Sequence, residues 1–244
     1  MRFHLAVAAC LLAGCAATTP AAPDAGPVDA LLVGEQHDAD SHAGLQHRYV
    51  ADLAQRGVLV ALALEMAERG ASTAGLPRGA GEDEVRRALR WNTEAWPWER
   101  YGPAVMAAVR AGVPVLGANL PREQMRAAMA DAALDQLLPG PALKAQQQAV
   151  RLGHCELLPE HRIGPMTRIQ IARDREMART VEAALAAGKT VVLLAGAGHV
   201  QPDLGVPQHL AATVRVRPLV LPREETGKDY CAELREQMRA RPPS

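Results

Sequence analysis

Two stretches far apart in the chain end in the same way. Thr190-Val191-Val192-Leu193-Leu194-Ala195 is an apolar run that stops at Gly196-Ala197-Gly198-His199, and Ala30-Leu31-Leu32-Val33 stops at Gly34-Glu35-Gln36-His37. A short aliphatic run bounded by glycine reads as a strand buried on both faces, the strand type of a parallel sheet. The glycine lets the chain turn sharply and brings backbone close to whatever lies beyond the strand end. Each run is followed by Gly-x-x-His, so both imidazoles stand where an open α/β sheet keeps its ligands, at the carboxyl edge.

The rest of the chain alternates strand and helix. Strands are expected at about 29–34, 58–64, 113–118, 190–195 and 212–221, and helices at about 42–55, 82–90, 101–111, 122–129, 142–152, 166–187, 207–211 and 229–239. Gly188 ends the longest of these helices. This alternation predicts an α/β fold with a mostly parallel central sheet flanked by helices, in a single domain. Hydrophobic residues make up 48% of the 244 but aromatics only 3%, so the core must be built from Ala, Val and Leu. Formal net charge is zero, which argues against a nucleic-acid surface.

The domain is expected to begin at 28 and run to 244, after a signal at 1–14 and a tether at 15–27. Arg2 gives the positive start, residues 5–12 the apolar stretch, and Leu12-Ala13-Gly14-Cys15 the pattern of a bacterial lipoprotein signal, with lipid on Cys15. The alternative is an ordinary secretory signal. Ala16, rather than aspartate, after the cysteine leans toward the outer membrane of a Gram-negative envelope. The Pro/Ala-rich tether cannot bury a core. Cys10 falls within the signal, and in an exported domain the remaining Cys155 and Cys231 are expected to pair, the alternative being two separate buried thiols.

Polar groups follow four of the strands: Glu35 and His37, then Glu65, Asn119 and His199. Parallel strands would bring them to one edge. Carboxylates and imidazoles are donors for a divalent ion such as Mn, Fe, Co or Zn, and also the groups for acid–base work on a bound water. Taken singly, each has a plainer reading. Glu65 could cap a strand, the histidines could be hydrogen-bonded turn residues, and Asn119 could cap a helix. Trp91, Trp96, Trp98 and Tyr101 read either as a satellite core or as a flat apolar wall for a planar ligand. Gly196-Ala197-Gly198 starts a dinucleotide fingerprint, but Gln201 stands where its third glycine belongs.

The sequence from Gly34 through Gln46 resembles the first motif of the ChaN-like haem-binding lipoproteins of the Tiki superfamily, Gly-Glu-x-His-Asp-Asn-Pro-x-His-His-x-x-Gln. It departs from that motif at Ala39, Asp40 and Ala43. Leu64-Glu65-Met66, Ala118-Asn119-Leu120-Pro121-Arg122, His154-Cys155, Gln170 with Arg173-Asp174, and Ala195-Gly196-Ala197-Gly198-His199 extend the resemblance over about 28–220. It implies a lipid-anchored haem-binding protein assisting haem and iron uptake, with haem held between protomers of a homodimer and a tyrosine on the iron. The candidates are Tyr49, Tyr101 and Tyr230. Tyr101, beside the tryptophans, is the one expected, with His42 and Trp98 also at the haem and Arg or His groups at its propionates. Other branches of the superfamily imply the alternative, a metal-dependent peptidase or esterase. There Glu35, His37, Glu65 and His199 would hold Mn, Co or Fe and its water, and Asn119 would polarise a carbonyl.

Overall fold

Residues 28–240 are described by a computed structural model. The expected signal, Cys15 and tether lie outside the described residues, as does 241–244. Five strands form one sheet in the order β3-β2-β4-β1-β5. They are β1 (Ala30–Glu35), β2 (Leu59–Glu68), β3 (Val115–Asn119), β4 (Thr190–Gly196) and β5 (Val216–Val220), and every pairing is parallel. The helices are α1 (Asp40–Gln55), α2 (Glu82–Ala88), α3 (Trp98–Arg110), α4 (Met125–Ala130), α5 (Gly140–Gly153), α6 (Glu160–Ala183) and α7 (Tyr230–Ala240). No described helix is long and apolar enough to cross a membrane.

Strand alternation sorts the core into two layers. Leu31 and Val33 of β1, Leu62 and Leu64 of β2, and Val192 and Leu194 of β4 face α1 and α3. Their neighbours Ala30, Leu32, Ala61, Ala63, Val191 and Leu193 pack on Met177, Ala178 and Val181 of α6. Helices α4 and α5 lie against α6, and Ala128 of α4 with Leu134 and Leu138 of the segment joining the two pack around Ile171. Apolar residues on both faces explain why the strands read as near-continuous apolar runs rather than as alternating ones.

β4 lies between β1 and β2, so the strands that carry Glu35, Gly196 and Glu65 are adjacent. Glu35 pairs with Gly196 and Leu64 with Leu194. Some elements differ from expectation. β2 continues past residue 64 to Glu68 through a register shift against β3, so Glu65 sits within a strand rather than after one. A Cβ on Gly117 would run into the Glu68 carbonyl, so the close approach at this bulge requires glycine. Helix α6 begins at Glu160, upstream of the expected start, and carries Pro165 as its sixth residue, where the ring removes the N–H bond to the His161 carbonyl. The helix expected at 207–211 is a single 3-10 turn, Val206–His209.

Candidate functional site

The alternation that sorts the core also sorts the acids. Glu35 has the parity of Leu31 and Val33 and enters the α1/α3 layer. Glu65 has the parity of Ala61 and Ala63 and enters the α6 layer. The two buried carboxylates therefore leave the same sheet edge on opposite faces.

On the first face, Glu35 is fully engaged. Tyr101 of α3 donates its O–H to Oε1 at 2.7 Å, His37 Nδ1 lies 2.8 Å from the same oxygen, and Gln46 of α1 donates its amide to Oε2. His37 is half exposed, and its ring meets the edge of Trp96 with centroids 4.9 Å apart. Partial burial alone would lower its pKa. The Glu35 bond and the nearby carboxylate of Glu65 outweigh that and raise it.

On the second face, His199 is clamped between two acids. Its Nδ1 is 2.5 Å from Asp174 Oδ1 and its Nε2 is 3.3 Å from Glu65 Oε1, with all three side chains buried. Glu65 also accepts the Gly196 N–H at 2.7 Å. Burial opposes the charged imidazole, but the two carboxylates overcome it and push the His199 pKa up to about 10. Burial pushes Glu65 up as well, yet His199, His37 and the Gly196 amide hold it well below the carboxylate range. Asp174 goes the other way. Burial raises it to about 6 against the pull of His199, and its second oxygen meets no donor among the described residues.

A cavity of about 780 Å³ opens where the two faces meet. Glu35, His37, Glu65, Gly196 and His199 all reach it, with Gln170 and Arg173 of α6 on one wall. Val220, Leu221, Arg223 and Tyr230 form the opposite wall. His37 and His199, 162 residues apart in the chain, thus open onto a common space. Asn119 does not line the cavity. Its amide donates to the Glu65 carbonyl at 2.8 Å, which braces the strand end rather than a reacting group.

The four residues named as metal ligands do not converge as ligands. Among the described residues no group of three or more His, Cys, Asp or Glu is arranged to hold a metal ion. The reason is prior commitment: both nitrogens of His199 face carboxylates, and both oxygens of Glu35 are taken by donors. An imidazolium has no lone pair to offer.

The model of the haem-binding uptake family, ChaN, of the Tiki superfamily matches residues 22–210. The chain belongs to this family. Among solved structures it is similar to ChaN of Campylobacter jejuni, described for cofacial heme binding, with a TM-score of 0.67 and 24% identity over 82% of this chain and 83% of that one. Weaker likenesses are to the type III effector HopBA1 (TM-score 0.44, 20% identity, 82% and 79% covered) and to RRSP, a MARTX toxin effector domain of Vibrio vulnificus (TM-score 0.46, 13% identity, 80% and 33% covered). No curated protein matches.

Within this ChaN-family fold, the residues expected at a haem are buried and hydrogen-bonded to other groups of the chain. Tyr101 is 0% exposed and gives its O–H to Glu35; burial and the Glu35 charge drive its phenol pKa upward, against the phenolate an iron ligand needs. His42 is buried with both nitrogens spent: Nδ1 accepts the Gln36 N–H at 3.0 Å and Nε2 donates to the Pro222 carbonyl at 2.8 Å. Trp98 is buried, donates to Glu82 at 2.8 Å and packs edge-on against Trp91, 5.1 Å between centroids. Trp98 and Tyr101 belong to the α1/α3 core layer itself, with Trp91 and Trp96 packed against it, rather than to a satellite core. Tyr49 of α1 is partly buried against the core and does not line this cavity. Tyr230 is the tyrosine on the cavity rim, 47% exposed, beside half-exposed Val220. Its phenol donates to Asp38 and lies 3.0 Å from Thr226 Oγ1.

Cys155 and Cys231 form a disulfide, Cα–Cα 5.6 Å. Of the site's groups, Asp174 and the 220–230 wall escape a strand-end search. Asp174 has a signal of its own: it falls in the Ile171, Asp174, Ala178, Val181 stripe of α6, a charge on an apolar face.

Proposed function

We propose that this chain binds haem at the rim of the cavity, as a lipid-anchored protein of the cell envelope that assists haem or iron uptake. The observation that carries the reading is Tyr230, an exposed phenol beside apolar Val220 and Leu221. A tyrosine oxygen suits ferric haem iron. The half-exposed Val220 side chain suits the porphyrin face. The guanidiniums of Arg173 and Arg223 suit its propionates, since paired N–H donors match a carboxylate. Iron binding would exchange the Tyr230–Asp38 hydrogen bond for the metal. Family membership supports haem as the ligand, and a homodimer with haem between protomers belongs to the same proposal, as do lipid on Cys15 and an outer-membrane location. Titration of the purified protein with haemin tests it. A Soret band that saturates, and that is lost or shifted in Tyr230→Phe, supports the reading; no saturable band overturns it.

One observation favours a second reading. His37 is oriented by Glu35 through Nδ1 while its Nε2 faces the cavity, with the place of a Gly196 Cβ 3.0 Å away. An imidazole held by a carboxylate and open at the other nitrogen is an acid–base group. This reading gives a hydrolase that works without a resident metal. Ester or peptide hydrolysis that survives chelators and disappears in His37→Ala and Glu35→Gln supports it.

A further inference from the structure

Helix α7 buries none of its residues. Its side-chain hydrogen bonds and covalent tie to the rest of the protein come from its first two residues, Tyr230 to Asp38 and Thr226 and Cys231 to Cys155, while Ala232 and Leu234 are partly buried. The chain ahead of it, 221–229, is irregular, and Leu221 and Arg223 line the cavity together with Tyr230. That strap is well fastened at its start. The Leu221 N–H donates to the Gly34 carbonyl at 2.8 Å, His42 donates to Pro222, and the Gln36 side chain makes bonds of 3.1 and 3.2 Å with the backbone of Glu224. Past Glu224 the fastening thins. Gly227 has φ +71, a backbone state open to glycine, and the remaining polar ties converge on Asp38: exposed Lys228 at 3.6 Å and Tyr230. Such solvent-exposed bonds contribute little to holding a segment in place.

The disulfide is therefore the strong anchor of the far end of the strap. Its other half sits in a tight turn, where Cys155 and Glu156 both take positive φ (55° and 58°), backbone that side chains rarely adopt. The bond closes a span of 76 residues and lies one residue from Tyr230, on the rim.

We propose that the Cys155–Cys231 bond is a thiol-responsive latch on the cavity. Intact, it holds α7 down and keeps Tyr230 on the rim. A dithiol reductant attacks one sulfur, forms a mixed disulfide and then closes on itself. It leaves as a cyclic disulfide, having given two electrons and two protons, and Cys155 and Cys231 become thiols. Without the bond, 225–240 moves off and takes Tyr230 with it. The consequence for ligand rests on the haem reading above: haem uptake weakens because the rim is complete in only a fraction of molecules.

The test uses the full chain in three forms: oxidised, dithiothreitol-reduced, and Cys155→Ser/Cys231→Ser. Hydrogen–deuterium exchange is followed across 221–240, and each form is titrated with haemin. Chemical reduction of the natural protein supplies the comparison should the double variant fold poorly. The expected result is faster exchange in 225–240, with the sheet unchanged, and haemin affinity lowered by about tenfold or more. Unchanged exchange on reduction overturns the latch. Faster exchange with undiminished haemin affinity overturns the control of haem uptake but leaves haem binding standing. An oxidised protein that takes up no haemin overturns the haem reading instead, and the exchange data alone then decide the latch.

Discussion

His199 Nδ1 and Asp174 Oδ1 lie 2.5 Å apart at the buried floor of the cavity, their side chains 6% and 0% exposed. With Glu65 on the other imidazole nitrogen, the three form a buried ionic unit joining the end of β4, the middle of β2 and the middle of α6. Removing the cation leaves two carboxylates buried and facing each other. The expected cost of His199→Gln is about 3–5 kcal/mol, the range for breaking a buried pair from one side. Asp174→Asn is expected to cost less, because burial already pushes that carboxyl toward its neutral form. Urea unfolding of the two variants checks the order.

The same unit sets a pH dependence. His199 is held at about 10 against an ordinary 6.5. A raised basic pKa gives stability that is complete below the unfolded value and is lost as pH climbs through the folded one. Asp174, raised from 3.8 to about 6, has the same sign in a lower window: its contribution fades as pH rises through 6. Glu65 is depressed, so its contribution is present above 4.5 and is lost toward acid. The three titrate as one coupled group. The urea midpoint is thus expected to fall between pH 6.5 and 10, and this slope is expected to flatten in His199→Gln.

Two tyrosines separate structure from ligand. Tyr101→Phe takes a donor from the buried Glu35 carboxylate and is expected to cost about 1.5–3 kcal/mol, the range for a hydrogen bond to a charged group, while haemin titration stays as it was. Tyr230→Phe is expected to stay within about 0.5 kcal/mol of the natural stability, as surface changes usually do, and to lose the Soret change. Thermal melts and haemin titrations of both variants, run side by side, check the pair. Haem binding lost in the Tyr101 variant and kept in the Tyr230 variant would reverse the assignment.

Strand-end logic was enough to find the sheet, its parallel sense, and the edge where Glu35, His37, Glu65 and His199 gather, because buried parallel strands advertise themselves as aliphatic runs ending in glycine. It could not say which side of the sheet each acid takes. That depends on parity within the strand, and β2 runs further than its apolar residues suggest. Asp174 carries part of the family resemblance, but its role as the partner of His199 is not legible in the strand pattern, because it lies mid-helix and its partner is on another element. His42, Trp98 and Tyr101, expected at a haem, share one trait in the fold. Aromatic and imidazole side chains look like ligand groups in a chain with few of them, yet scarcity equally makes them the bulk available for filling the α1/α3 core layer and spanning its polar gaps. The 220–230 wall carried no local pattern, since its place is fixed by hydrogen bonds to the β1–α1 turn and by a disulfide.

Two glycines near the ends of the paired strands β1 and β4, Gly34 opposite Ala195 and Gly196 opposite Glu35, give the sharpest contrast in cost. At Gly34 a Cβ would collide with Val200 Cγ2 and come within 3.0 Å of the Ala197 Cα, which is backbone of the 3-10 turn carrying His199. Neither can retreat, because Val200 is fully buried and the turn is fixed by the ionic unit. Gly34→Ala is expected to cost about 1–3 kcal/mol, as overpacking does. At Gly196 the new methyl would meet the His37 ring at 3.0 Å and Glu65 Oε2 at 3.5 Å. The His37 side chain is 42% exposed and free to swing outward, so Gly196→Ala is expected to cost less than Gly34→Ala while breaking the His37–Glu35 bond. Thermal melts rank the two variants. An NMR titration of His37 in Gly196→Ala, expected to move its pKa down once the Glu35 bond is lost, shows whether the ring has left the carboxylate.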